Sequence, residues 1–146
     1  MSFSFLMNKR GNVMPYVVVL IGFVAMPMML LSVEITRAMY VDSHLQTATD
    51  TACAASVQAI NTSQFINTGL LQVDITQGRN FAHREFNATV IDKDLKQYNP
   101  ILISVERISD RVVACEASAT LQWILPGLPA LTLRASSTSE LQAVRY

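Results

Sequence analysis

Two cysteines, two histidines and a few carboxylates are the side chains of this 146-residue chain with chemistry to offer. Two cysteines exclude a disulfide-dense scaffold and a four-cysteine zinc site. They leave room for one disulfide, between Cys53 and Cys115. In an oxidising compartment that bond closes a loop of roughly 60 residues and contributes on the order of 4 kcal/mol in the chain-entropy model. The alternative is two buried thiols on small-residue surfaces. His44 and His83 fall in different segments with no ligand spacing, and Asp92 and Asp94 lie in a polar stretch where water solvates both. The chain has no phosphate-cradling glycine loop, no Gly-x-Ser-x-Gly and no His-Glu-x-x-His. These residues point to no catalytic group, no metal, no cofactor and no small-molecule substrate. Eleven basic residues balance eleven acidic ones, which argues against nucleic acid, since phosphate binding needs a cationic surplus.

The elements that carry these residues begin with a membrane segment. Hydrophobic residues make up 51% of the chain and charged residues 15%, too few for a fully wetted surface. From Asn12 to Val33 no residue is charged, which matches the roughly 20 apolar residues of a bilayer span. A secretory core would be shorter, and no small-x-small cleavage site follows. Lys9 and Arg10 precede the span, while Glu34 follows it. The positive-inside rule then leaves residues 1–11 in the cytoplasm as a leader and exports residues 34–146. Pro27 stands mid-span, removes a backbone donor and predicts a kink.

Beyond the span the helical pattern continues without proline or glycine to Ile60. Ala38, Val41, Leu45, Ala48, Ala52, Ala55 and Ala59 recur at alternating spacings of three and four, an a/d seam for close helix packing. One helix from about Val13 to Ile60 would run roughly 70 Å at about 1.5 Å per residue. Glu34 and Arg37 share a helical face at the membrane exit and could pair there.

Asn61 to Gly69 is rich in turn formers and ends that helix. Asp74 can cap a second helix, about Ile75 to Ala88, with Ile75, Ala82 and Phe86 on its buried face. Residues 92–100 form a polar connection. Then the pattern alternates. Ile101, Ile103 and Val105 face one way in a first strand. Val113, Cys115, Ala117, Ala119 and Leu121 do so in a second, within Arg111–Trp123. Leu131, Leu133 and Ala135 do so in a third, within about Ala130–Ala143. Short connections favour an antiparallel meander. The exported part is therefore α+β, a three-stranded sheet covered by an alanine-rich helix. The turn between the last two strands is apolar: Trp123, Leu125 and Leu128 could dock to a partner or to the membrane surface, or fold back over the core.

The chain resembles the TadE/TadG-like proteins of the tight-adherence (Flp) pilus assembly system. Arg10-Gly11-Asn12-Val13 before the span, Pro27 within it and Glu34-Ile-Thr-Arg37 after it are similar to the family's pattern. Leu45-Gln46-Thr47-Ala48-Thr49-Asp50-Thr51-Ala52 resembles its LQ-x-A-x-D-x-A stretch. Pro126–Pro129 and Leu131–Ser137 are similar, more weakly, to its closing strand. The resemblance implies a pilin-like head on a single-pass anchor in the bacterial inner membrane, with the head in the periplasm or carried into a pilus. It implies a structural, non-enzymatic minor-pilin-like subunit or a membrane-anchored assembly scaffold. Its partners would be other pilin-like or Tad assembly proteins through helix packing, including further copies of itself. Gly11-Asn12 would be the processing site of a pilin, yet Tyr16 stands where processed pilins of this system resemble a glutamate. The chain is closer to a short TadG-like form, since a von Willebrand-like domain does not fit beyond residue 60. From a different class, a membrane-anchored periplasmic sensor or ligand-binding module would need a pocket with converging polar groups.

Overall fold

The computed structural model describes residues 13–124 and 127–141. The chain divides into two compact units, Met1–Thr36 and Arg37–Tyr146. In the first unit, α1 (Val13–Leu20) leads into a π-helical turn, Ile21–Ala25, after which α2 begins at Met26. The interruption expected at Pro27 takes this form. The Met26 N–H donates five residues back, to the carbonyl of Ile21. This widened turn lies directly upstream of the residue that has no donor, and π adjustments of this kind reconcile proline with a helix in apolar surroundings. Among the described residues this is the one helix long and apolar enough to cross a membrane. Its side chains from Tyr16 to Val24 and from Met26 to Val33 are exposed. Ser32 and Thr36 turn their hydroxyls back onto the carbonyls of Met28 and Ser32, each at 2.9 Å, so neither asks for an external partner.

The helix α2 ends at Ser56, not at Ile60. The reason is tertiary. Ile60 forms an isolated antiparallel bridge with Val73, and the Asp74 and Asn61 amides donate across it to Ala59 and Gln72. Residues 57–59 tighten the last turn, the amides of Gln58 and Ala59 donating three residues back, and Ile60 then enters pairing that a helix could not offer. The segment expected to be only a turn contains a short helix, α3 (Thr62–Thr68). The Asn61 side chain accepts from the Gln64 amide at its start, and Gly69 closes it at φ 71°, where a side chain would be strained.

The next helix, α4 (Ile75–Asp92), runs a turn beyond the expected Ala88. The Asp74 carboxylate caps it by accepting from the amides of Thr76 and Gln77 at 2.9 and 3.2 Å. Its buried face is Gly78, Ala82, Phe86 and Val90. Gly78 is required by close approach: a Cβ there would meet the Ser56 carbonyl oxygen at 2.8 Å. Alanine at this position should gain about 1 kcal/mol of helix propensity. It should lose more to the backbone clash, since overpacking costs about 1–3 kcal/mol. Gly78→Ala is therefore expected to lower the head's unfolding free energy in a urea titration, opposite in sign to the usual helical substitution.

The sheet is a meander, β1 (Ile101–Arg107), β2 (Val112–Leu121) and β3 (Leu131–Glu140), in that spatial order and antiparallel throughout. The α+β architecture expected from the alternation is the one observed. One face needs correction. Ile101 and Ile103 are exposed at 60% and 53%, while Leu102 and Val105 are buried. A bulge between Leu102 and Ser104 inserts Ile103 as an extra residue and reverses the alternation partway along the strand. Strand β2 follows its pattern, with Val113, Cys115, Ala117, Ala119 and Leu121 all buried. The polar stretch before β1 holds a 3-10 turn, Lys96–Tyr98, and adds Leu95 and Tyr98 to the core.

Candidate functional site

The upper part of α2 is consumed by the protein's own head. Val41, Leu45, Ala48 and Ala52 are fully buried, Ala55 and Ala59 are buried, and Ala38 packs at the margin of the same core. The opposing row on β2 is also small: Cys115, Ala117 and Ala119. With short side chains on both surfaces, the helix comes close enough for its side chains to reach strand carbonyls directly. Cys53 Sγ donates to the carbonyls of Val113 at 3.2 Å and Ser137 at 3.5 Å. Gln46 Nε2 donates to the carbonyl of Ser136 at 3.1 Å and to Asp50 Oδ1 at 3.0 Å.

The stretch from Leu45 to Ala52 thus divides into two jobs. Leu45, Ala48 and Ala52 fill the core, while Thr49 satisfies its buried hydroxyl on the Leu45 carbonyl at 2.8 Å. Gln46, held by Asp50, clasps a carbonyl on β3. At the other edge Arg79 Nε, from α4, donates to the carbonyl of Val105 on β1 at 3.1 Å. Each edge strand gives a carbonyl to a helical side chain, which blunts edges that would otherwise invite a further strand.

Residues 11–59, which include this stretch, match the Tad family model, Flp pilus-assembly TadE/G-like. Over that segment the chain is similar to the TadE/G-like family. No curated protein and no solved structure matches the chain. The match is to proteins described as Flp pilus-assembly components and covers residues 11–59 only. The TadE/G-like segment is accordingly an apolar helix suited to membrane anchoring, continued by a stripe that the head covers.

At the start of the head, Arg37 is spent on two distant elements. Its Nε donates to Tyr98 Oη at 3.3 Å and its Nη1 to the carbonyl of Gln122 at 3.1 Å, with the guanidinium 5.3 Å from the Tyr98 ring centre. Nothing in the spacing Glu34-x-x-Arg37 announced these partners. Glu34 is buried, at 1% exposure, an unusual state for a carboxylate beside a membrane segment. Tyr40 donates to the Lys93 carbonyl at 3.5 Å and meets His44 edge-on, ring centres 4.3 Å apart.

In the turn between β2 and β3, Trp123 is half-buried and Ile124 and Leu128 are exposed. Leu125, Gly11 and Asn12 lie outside the described residues. His44 sits against Tyr40, whereas His83 borders Arg79 and β1. Among the described residues no three of His, Cys, Asp and Glu gather as a metal site. Asp92 pairs with its neighbour Lys93 at 2.8 Å, and that ammonium holds its carboxyl below the usual range. Cys53 and Cys115, from α2 and β2, are brought together in the core. Both are thiols, and the neighbouring Cys115 thiol lowers Cys53 from the ordinary thiol range, while Cys53 and burial push Cys115 up.

Proposed function

We propose that this protein is a structural component of Flp pilus biogenesis that stays in the inner membrane as an assembly scaffold. Its N-terminus faces the cytoplasm and its α+β head faces the periplasm. It works by contact rather than catalysis. The observation that carries this reading is the character of the span. From Val13 to Leu31 the helix is bulky, and no two small residues stand four apart. Close helix association inside lipid draws on small-x-x-x-small stripes. Here the small residues sit higher, on the stripe from Ala38 to Ala59, and that stripe is already buried by the head. A span of this kind is suited to lipid.

The competing reading is a minor-pilin-like subunit, favoured by a helix with one half in its own head and the other half bare. Intact mass and fractionation of the native protein separate the two. A full-length chain confined to inner membranes is the expected result. A chain beginning at Asn12 in sheared fibres would replace the scaffold by the pilin.

Trp123, Ile124 and Leu128 belong to the same proposal as a foot on the lipid surface. Arg37, four residues past the last span residue Val33, holds the Gln122 carbonyl, so this turn starts beside the first residue of the head. Exposed aromatic and aliphatic side chains of this kind suit the headgroup interface. Trp123 is the single tryptophan, so its emission reports this contact alone. Brominated lipid should quench it in reconstituted protein, and Leu128→Ser should weaken the quenching. Emission indifferent to bromine would remove the foot.

A further inference from the structure

We propose that Cys53 and Cys115, which stand as thiols in this structure, become joined by a disulfide that staples α2 to the middle strand of the sheet. The bond forms while the head is still open and is sealed from solvent when it closes. The inference rests on the export of the head proposed above. Its geometry is independent of that reading. Cys53 Sγ lies 3.2 Å from the carbonyl oxygen of Val113, two residues before Cys115 on the same buried face. It lies 3.5 Å from that of Ser137, the residue paired with Cys115 across the β2–β3 ladder. One contact along β2 and one across the ladder place the Cys53 sulfur beside the Cys115 position. Both cysteines are fully buried.

Burial fixes the order of events. Thiol–disulfide exchange needs in-line access to sulfur, and the closed head gives none. The oxidant is therefore a disulfide-bearing thiol oxidant that meets the chain before α2 docks on β2. One cysteine thiolate attacks the oxidant's disulfide, forming a mixed disulfide and releasing one oxidant thiol. The second thiolate attacks the mixed disulfide and releases the other. The cysteine pair loses two protons and two electrons, and the oxidant's disulfide becomes two thiols. The closed loop contains α3, α4 and β1. A pull on the membrane helix would then reach β2 through a covalent bond as well as through the alanine seam.

The test is alkylation and intact mass of the full chain purified from membranes without reductant. Denatured protein treated with N-ethylmaleimide should carry no adduct, and two after denaturation with reduction. Native protein exposed to dithiothreitol, then denatured and alkylated once the reductant is removed, should still carry none. Cys53→Ala should leave Cys115 as one thiol that alkylates without reduction. Two adducts in unreduced wild-type protein overturn the cross-link, and ready reduction of the native protein overturns its sealing. Protease accessibility of the head in spheroplasts distinguishes the causes of a failure. Free thiols on an exported head sink the cross-link alone, whereas free thiols on a protected head sink the export reading with it.

Discussion

Arginine at Val24 and Met28 together is expected to keep the chain out of the membrane. Each arginine near the centre of a span costs about 2.5–3.5 kcal/mol on insertion-derived scales, so the pair costs roughly 5–7 kcal/mol. Nothing among the described residues shelters these charges, because both native side chains are exposed and the span's apolar window is not buried in the protein. Among the described residues there is no second helix of sufficient length and apolarity to take over. The measurement is alkaline carbonate extraction of the full chain. The double variant should move from pellet to supernatant, while Thr138→Arg, on an exposed position of β3, should leave the protein in the pellet. Retention of the double variant in the carbonate pellet would show that something other than this helix anchors the protein.

The second large effect belongs to the head. Phe86→Ala should cost about 3–5 kcal/mol, the sum of lost transfer energy and the cavity left behind. Phe86 is 2% exposed and is the largest of the fully buried side chains, on the α4 face that also carries Ala82 and Val90. Phe86 belongs to a core drawn from α2, α4 and the sheet, elements tied by cross-element hydrogen bonds, so the cavity cannot close cheaply. Domains of this size hold only about 5–15 kcal/mol in total. Urea titration of the detergent-solubilised protein should show a much lower midpoint for Phe86→Ala. Phe86→Leu, which keeps most of the volume, should lose far less. A midpoint unchanged by Phe86→Ala would mean that the head is not held together across this core.

These two predictions bear on different units of the chain. The first concerns lipid as the solvent of residues that the protein does not cover. The second concerns the head as a cooperative structure. The family match spans the junction, from residue 11 to residue 59, and so joins an anchor to the first wall of a core. That combination explains why Ala48 and Ala52 are small in a helix that has no close-packing stripe lower down. The limit on size comes from the sheet of the same chain.

The amino-acid sequence by itself determined the span, the seam and the strand count, because each rests on a short-range periodicity that a single element imposes. An uncharged apolar run needs lipid, a three-four repeat selects one helical face, and alternation selects one face of a strand. It also determined the cap at Asp74, whose chemistry is complete within three residues. What only the tertiary structure decided is whatever depends on a second element. Ser56 ends α2 because Val73 claims Ile60, and no local signal stops the helix there. Ile101 and Ile103 face outward because a bulge absorbs Ile103, and a bulge exists only relative to the partner strand. Asn61 and Gly69, by contrast, were local signals for α3, with a cap at one end and a left-handed residue at the other. Arg37 finds Tyr98 and Gln122, and Cys53 finds the ladder position of Cys115, only when α2 settles on the sheet. Distances along the chain set what a helix or strand can be. Which side chains then meet is fixed by the close approach that small residues permit.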